Sequence, residues 1–274
     1  MTQDRENARA VVAVRPARRR FGRLLAAGMA ILLIAGVSTG CAKRPPASDV
    51  EAVAEFERRN DPVEPLNRYF FELNRFFDYM ALKPVAVVYR SIVPDRVQNG
   101  VRNFLNNLRT PIILANDLLQ GDLARARITT ARFITNTIAG VGGFYDFASR
   151  IGYPRHDEDF GQTLAVWGVG EGPYLVLPLI GPRPPRDLVG LGVDQLFDPL
   201  TYVLPANDAE VVGYGLLAAD IIDSRARGID AFEEIEASSL DLYATIRNLY
   251  RQRRAAAIEN RDDGRADTTL VPAQ

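Results

Sequence analysis

The sequence predicts a mostly α-helical protein, and three observations lead to that class. Apolar residues recur at steps of three and four along several stretches, which is the spacing of amphipathic helices. No stretch alternates apolar and polar residues between regularly spaced turns, so neither a β-sandwich nor an outer-membrane barrel is predicted. One region, from Phe160 to Pro185, mixes large apolar residues with glycine and proline and is predicted to be irregular.

The chain begins with the three regions of an export signal. An arginine-rich start precedes an uncharged apolar run from Leu24 to Val37, and small residues precede Cys41, the single cysteine. This run is shorter than the about 20 residues that a bilayer-spanning helix needs, so we expect cleavage. Cys41 is therefore the predicted lipidation site, carrying acyl chains such as palmitate. Because Ser38 stands where lipoprotein signals usually have Leu, Val or Ile, an ordinary signal peptide is the alternative.

The composition suggests one exported domain between two unstructured ends. We predict a signal peptide over 1–40, a flexible tether over 41–59, a single helical domain over 60–257 and a disordered tail over 258–274. The whole chain has a formal net charge of −1, and since the leader is rich in arginine the mature chain is more acidic still. Nucleic acid is therefore not an expected partner.

Four helices are predicted before the glycines near residue 140. The first is amphipathic, covers residues 66–80 and is expected to break at Pro84. The second covers 95–111 and the third 111–120, with the proline between them as the boundary. The fourth covers 122–138, with the aspartate that opens it as N-cap.

Two further helical stretches are predicted near the C-terminus. They cover residues 209–227 and 229–257, and the second has a break near Ser238-Ser239. Residues 260–274 are expected to be frayed.

The segment "FGQTLAVWGVGEGPYLVLPLIGPRPP" at 160–185 has two interpretations. A soluble protein could bury it as an irregular loop that covers the core. In a membrane protein, irregular backbone is tolerated where it packs in protein or lines a water-filled cavity, so the segment could line a pore. Composition alone leaves both open.

Motifs in a fixed order along residues 60–254 resemble those of the MlaA (VacJ) family, the outer-membrane lipoproteins of a phospholipid-retrieval pathway in Gram-negative bacteria. The motifs are "NDPVEPLNRYFFELN" at Asn60–Asn74, "LKPVAVVYRSIVP" at Leu82–Pro94, "GVRNFLNNLRTP" at Gly100–Pro111, "LLQGD" at Leu118–Asp122, "RFITNTIAGVGGFYD" at Arg132–Asp146, "EDFGQTLAVWGVGEGPYLVLPLIGPRPPRD" at Glu158–Asp187 and "SSLDLYATIRNLYRQRR" at Ser238–Arg254.

The resemblance implies a ring of amphipathic helices embedded in the outer membrane around a central channel. It implies a protein, lipid-anchored and exposed to the periplasm, that removes misplaced phospholipids from the outer leaflet and passes them to the periplasmic carrier MlaC. Trimeric porins are the implied membrane partners, and neither a cofactor nor enzymatic activity is implied. The alternative is a structural adaptor that docks a periplasmic partner onto porins without conducting lipid.

Two groups of residues are candidates for the lipid path. The hypothesis for the first is that its glycines allow tight turns and that the segment shapes or gates the channel; the alternative is a rigid packing loop. The second lies on the first amphipathic helix and could control which leaflet the channel reaches, or simply anchor the helix in the membrane. The first group comprises Trp167, Gly168, Gly170, Gly172, Pro173, Tyr174, Pro178 and Gly181, and the second Asn67, Phe70, Leu73 and Asn74.

The acidic run after His156 does not predict a metal or catalytic site. His156, Asp157, Glu158 and Asp159 are consecutive, but there is no second histidine and no cysteine to complete a usual transition-metal set. No nucleophile-elbow pattern accompanies the histidine, and "GVGEGPY" lacks the ending of a phosphate loop. We expect a solvated acidic turn at the level of the lipid headgroups.

Overall fold

The protein is mostly helical, as the sequence predicts, in a computed structural model of the chain. Cys41, the leader, most of the tether and the end of the tail lie outside the described residues. The structure describes residues 46, 48–49, 51, 53, 59–206 and 209–260.

The described helices are connected by short turns and by one small hairpin. In chain order the elements are α1 (Glu64–Phe77), a π-helical turn (Asp78–Leu82), α2 (Lys83–Ile92), α3 (Asp95–Leu119), α4 (Leu123–Ile138), α5 (Phe147–Arg150), α6 (Phe160–Val166), β1 (Val176–Leu177), β2 (Gly181–Pro182), α7 (Pro185–Phe197), α8 (Leu200–Ala206), α9 (Glu210–Arg227), α10 (Ile229–Ser238) and α11 (Leu242–Ile258).

The chain stays helical past Pro84, where a break is predicted. α1 passes through the π-helical turn directly into α2, and Pro84 lies in the first turn of α2. In the π turn the N–H of Lys83 bonds to the carbonyl of Asp78, a spacing of five residues. Such a widened turn accommodates a proline, which has no N–H to donate. The predicted break is therefore wrong.

α3 is one helix through Pro111, where two are predicted. An interior proline removes one backbone hydrogen bond and costs about 3 kcal/mol or more. α3 packs against α4, α7 and α9, and this packing compensates for the lost bond. The boundary predicted at Pro111 is wrong. The predicted start of α4 is confirmed, since the side chain of Asp122 accepts a hydrogen bond from the N–H of Arg125 at 2.9 Å.

The segment 160–185 is irregular only in its second part. It opens with α6, whose N-cap Asp159 accepts a hydrogen bond from the N–H of Gln162 at 2.9 Å. The chain then turns into an antiparallel hairpin in which Val176 pairs with Pro182. The expectation that this segment holds no regular helix is thus wrong for α6, while the rest of it has the predicted irregular character.

The C-terminal helices match their predictions, including the break after Ser238. α11 packs its aromatic face onto α1 and β1 and forms the main apolar core there. The buried members of this core are Phe71, Tyr174, Val176, Tyr243, Ile246 and Tyr250.

Buried ion pairs join the same elements around this core. Asp61 Oδ2 lies 3.0 Å from Arg247 Nη1, and Asp187 Oδ1 lies 2.9 Å from Arg254 Nη2. All four side chains are largely or fully buried. Removing one partner of a buried pair typically costs about 3–5 kcal/mol, because the other charge is left without compensation. These pairs fix α11 against the loop before α1 and against α7.

Candidate functional site

A cavity of about 600 Å³ lies between α3, α7, α8 and α9. This volume falls in the range of about 300–1,000 Å³ that ligand pockets usually have. The lining is amphipathic, because each of the four helices contributes both aliphatic and polar side chains. The aliphatic members include Leu105, Leu108, Ile112, Ile113, Leu191, Leu200, Leu204, Leu216 and Leu217, and the charged members are Arg109, Asp157, Glu158, Asp159, Arg183, Asp194, Asp198, Glu210 and Asp220.

Two of the lining carboxylates belong to buried polar networks. Glu158 pairs with Arg125 and accepts a hydrogen bond from Gln120 Nε2 at 2.8 Å. Burial raises the pKa of Glu158 to about 6, although both partners favour the ionised form. Asp159 Oδ1 accepts from Arg254 Nη2 at 2.7 Å. Burial raises the pKa of Asp159, but the bonds from Arg254 outweigh it and lower the pKa to about 2.

Asp194 connects three of the elements around the cavity. Its Oδ1 accepts hydrogen bonds from Asn116 Nδ2 of α3 at 2.9 Å and from the N–H of Phe160 of α6 at 3.0 Å. The side-chain Oδ1 of Asn116 accepts in turn from Thr163 Oγ1 at 2.8 Å. Burial raises the pKa of Asp194. This network sets the relative positions of α3, α6 and α7, and so the width of the cavity.

Asn67 and Asn74, two turns apart on α1, bind the hairpin. Asn67 donates to the carbonyl of Tyr174 and accepts from the N–H of Val176, each at 2.9 Å. Asn74 donates to the carbonyl of Leu177 at 2.9 Å and accepts from the N–H of Leu179 at 2.7 Å. A side-chain amide presents one donor and one acceptor side, as a peptide group does, so each asparagine pairs with the strand as a neighbouring strand would.

The other two candidates on α1 are half-buried, like Asn74, whereas Asn67 is buried. Phe70 packs against the aromatic core, and Leu73 is half-buried. A role of these four residues in choosing a leaflet stays a prediction. What the structure brings together is α1 and the hairpin.

The eight candidate channel residues of the glycine-proline segment are not among those that line the cavity. Tyr174 is 1% exposed and belongs to the aromatic core. Trp167 is 53% exposed and donates from Nε1 to the carbonyl of Leu119 at 3.1 Å. A Cβ atom on Gly168 or Gly170 would meet nothing within 4 Å.

The remaining members of that segment lie at the hairpin and at the entrance to α7. Gly172 has a φ of +75°, and a Cβ there would lie 3.1 Å from the ring of Pro185, the first residue of α7. Gly181 is buried in β2, Pro173 is exposed and Pro178 is half-buried. Their part in the channel stays a prediction.

His156 has a buried side chain that contacts Asp117 and Thr129. Its Nε2 lies 3.1 Å from Asp117 Oδ1 and 3.1 Å from Thr129 Oγ1, and Thr129 donates to Asp117 at 2.5 Å. A catalytic relay needs the hydroxyl and the carboxylate on opposite ring nitrogens. Because the same ring nitrogen, Nε2, makes both contacts here, these three residues do not form a relay. They connect α3, α4 and the loop before α6.

The expected solvated acidic turn is only partly present. The side chain of Asp157 is 68% exposed, but that of Glu158 is 1% exposed, because it turns inward to Arg125. Within the described ranges no group of three or more His, Cys, Asp or Glu side chains is arranged to hold a metal ion.

Sequence reasoning missed most of the cavity lining. Leu105, Leu108 and Arg109 lie on a predicted helix, but the other charged lining residues lie between Asp157 and Asp220, in segments far from that helix in the chain. One local signal exists: Asp220 interrupts the apolar run "GLLAADII" on α9. A charged residue within such a run is rarely fully buried unless it is paired, so Asp220 predicts a polar contact on this face of α9.

The outer surface carries an unusual number of exposed large apolar side chains. They occur on most of the longer helices and in the turn after α4, and they include Tyr69, Phe76, Met80, Val88, Ile92, Ile134, Ile138, Tyr145, Val189, Leu196 and Val212. None of the helices in the described part of the chain is both long and apolar enough to cross a membrane.

Comparison with known proteins gives a consistent set of relatives. A family model described as MlaA lipoprotein matches residues 59–257. The chain is 34% identical over 224 residues to the intermembrane phospholipid transport system lipoprotein MlaA of Haemophilus influenzae, covering 81% of this chain and 86% of that protein. It is 35% identical over 200 residues to the protein of that name from Escherichia coli, covering 71% and 77% respectively.

A solved structure also matches. It comes from work on the structural basis for maintenance of bacterial outer membrane lipid asymmetry. The similarity has a TM-score of 0.65 at 35% sequence identity and covers 72% of this chain and 98% of the solved one.

Proposed function

The chain belongs to the MlaA lipoprotein family, and from that premise we propose that it transports phospholipid between membranes and so maintains the lipid asymmetry of the outer membrane. The observation that carries this proposal is the amphipathic cavity of about 600 Å³ between α3, α7, α8 and α9.

The lining of the cavity suits a phospholipid. A phospholipid has a charged headgroup and apolar acyl chains, so a transfer route must solvate the first and shield the second. Aliphatic side chains such as Leu108 and Leu217 offer apolar contact, and charged groups such as Arg109 and Asp198 offer polar contact within the same space. Burying acyl chains contributes about 0.8 kcal/mol per CH₂ group.

The exposed apolar surface supports a body immersed in the outer membrane. Soluble monomers rarely expose contiguous apolar patches larger than a few hundred Å². Here exposed aromatic and aliphatic residues recur on α1, α2, α4 and α9. Amphipathic helices with Trp, Phe and Leu on one face bury that face in the acyl region of a bilayer. The helices thus form a ring in the membrane, with the cavity as its channel.

The anchorage and partners follow from the same proposal. Cys41, outside the described residues, carries the lipid that sorts the protein to the outer membrane. Trimeric porins hold the body in the membrane, and the periplasmic carrier MlaC receives the lipid. The chain performs no covalent chemistry.

The glycine-proline segment acts on the channel mainly from outside its lining, since Arg183 is its single member that lines the cavity. Residues 167–184 connect α6 to α7, and α7 contributes Leu191 and Asp194 to the cavity. A Cβ on Gly172 would lie 3.1 Å from Pro185 at the start of α7, so a side chain added in this turn would displace the end of a lining helix. In this form the segment shapes or gates the channel.

A pair of matched variants on α9 tests the transport proposal. Leu217 lines the cavity and is 53% exposed, whereas Val212 is 54% exposed and is not part of the lining. Leu217→Trp fills part of the cavity, while Val212→Trp adds the same bulk elsewhere on the helix. In a deletion strain we expect the first variant to leave phospholipid exposed at the cell surface and the second to restore asymmetry.

The measurement is the amount of phospholipid in the outer leaflet, at matched protein levels in the outer membrane. Equal rescue by the two variants would contradict transport through the cavity and favour the adaptor role, in which no lipid passes through the protein.

A further inference from the structure

The charged groups of the cavity are unequal in number. Seven carboxylates and two guanidinium groups line it. Glu158 and Asp159 are neutralised by arginines of the buried networks, and Asp157 pairs with Arg155. Asp194 is held by amide donors and has no ion pair among the described residues. Without the three paired carboxylates, four carboxylates and two guanidinium groups remain, so the lining is still net negative.

Arg183 is a buried cation that forms no ion pair within the described part of the chain. The residue is 5% exposed, and its Nε has no hydrogen-bond partner. Its backbone N–H donates to the carbonyl of Leu175 at 2.8 Å, which fixes the residue at the end of the hairpin. Burial lowers its pKa, and the negative charges of Asp159 and Asp187, both paired with Arg254, oppose that effect. A buried guanidinium of this kind is stabilised by an anionic ligand.

Two further lining residues, Arg109 and Asp220, carry opposite charges. Both line the cavity, Arg109 from α3 and Asp220 from α9. Asp220 is half-buried and accepts no hydrogen bond from the residues described. Burial raises its pKa, and the nearby charge of Arg109 opposes that effect. The two groups attract each other without closing the contact, so both remain able to bind a ligand.

We propose that the cavity prefers zwitterionic phospholipids with a primary amine, of the phosphatidylethanolamine type, to anionic ones. The phosphodiester binds Arg183 and Arg109, and the ammonium group binds the carboxylates of Asp220 and Asp198. The inference rests on the proposed transport function and names its substrate class.

The chemistry of the headgroups gives the reason. An anionic headgroup such as that of phosphatidylglycerol brings a phosphate but no cation, so the surplus carboxylates repel it. A choline headgroup is cationic but has no N–H to donate, and therefore forms no hydrogen bond with Asp220. A primary ammonium has three donors and satisfies the carboxylates directly.

Lipid capture from mixed vesicles tests the preference. The full-length acylated protein, purified from outer membranes, is incubated with vesicles of equal phosphatidylethanolamine and phosphatidylglycerol, re-isolated, and its bound lipids are quantified by mass spectrometry. We expect enrichment of phosphatidylethanolamine over the vesicle composition. Asp220→Asn should lower that enrichment roughly three- to ten-fold.

Two further variants complete the test. Asp198→Asn should lower the enrichment in the same direction. Glu234→Gln is the matched control, since Glu234 is exposed on α10 and does not line the cavity, and it should behave as the wild type.

The outcomes separate the inference from the transport proposal. Lipid bound in the vesicle ratio by the wild type and all variants overturns the headgroup preference and leaves transport standing. Lower enrichment in the Glu234→Gln control as well also overturns it. If the wild type captures no phospholipid of either kind, the transport proposal itself fails.

Discussion

Two glycine-rich turns of similar composition differ in what their glycines are for. In the first, residues 140–143, the space is filled: a Cβ on Gly140 would lie 2.2 Å from the carbonyl oxygen of Tyr145, and one on Gly143 would lie 2.5 Å from Cβ of Asn107. In the second, residues 168–172, a Cβ on Gly168 or Gly170 would meet nothing within 4 Å. The first turn is packed and the second is open.

The difference shows that glycine serves two physical purposes in this chain. The packed turn follows α4 and folds onto α3. Asn107 of α3 donates to Thr137 Oγ1 of α4 at 3.0 Å and lies against Gly143, so the backbone of the turn can approach α3 this closely only with glycine. The open turn needs glycine for backbone conformations such as the φ of +90° at Gly168. A packed turn contributes to stability, whereas an open one is free to move with the lining helix that it precedes.

The largest effect is expected in the packed turn. Gly143 has a φ of +100°, so Gly143→Ala combines backbone strain with a clash against buried Asn107. Together these should cost about 3 kcal/mol or more of the free energy of unfolding. Gly142→Ala is the control: its φ is +71° but its Cβ position is open, so strain alone should cost about 1–2 kcal/mol. Denaturant unfolding of the purified variants measures both, and equal losses would contradict the packing argument.

An intermediate effect is expected where the open turn reaches α7. Gly172→Ala combines a φ of +75° with a contact of 3.1 Å to Pro185, and should cost about 2 kcal/mol. Gly168→Ala has a φ of +90° without a neighbour and should cost about 1 kcal/mol. The midpoints of thermal unfolding should therefore fall in the order wild type, Gly168→Ala, Gly172→Ala. The reversed order would contradict the argument that the contact with Pro185 makes position 172 less tolerant of a side chain than position 168.

The smallest effect on stability is expected at Gly170, which has neither a positive φ nor a close neighbour. Gly170→Val should change the free energy of unfolding by less than about 0.5 kcal/mol. Under the gating proposal it should still leave phospholipid exposed at the cell surface, and Gly170→Ala should do so to a smaller extent. Full rescue by a stable Gly170→Val protein at normal abundance would leave the open turn without a role in transport.

The helices that could be predicted are those with local signals. α4 has a capping aspartate and a regular apolar spacing, and α9 and α11 have similar spacing, so their limits follow closely from the sequence. The helix ends predicted at Pro84 and Pro111 are wrong because contacts outside the local sequence override the effect of the proline. A proline lowers the helix stability locally, but the π turn before α2 and the packing of α3 against three helices compensate for it.

The lipid path could be predicted only as a class of site. The motifs indicate phospholipid transport, and the part of segment 160–185 in the lipid path stays a prediction. The cavity that we propose as the lipid path lies between α3, α7, α8 and α9, and lining residues such as Arg109 and Asp220 are distant in the chain. Neither has a local pattern that pairs it with the other.

The sequence by itself determined the helical class, the family and the N-cap of α4, because each depends on residues that are close in the chain. The signal peptide over 1–40 and the lipidation of Cys41 stay predictions. Only the tertiary structure decided which glycines are packed, that Asn67 and Asn74 bind a hairpin, and which charges share the cavity. These properties depend on distances between segments remote in sequence, and such distances are set by the packing of whole helices.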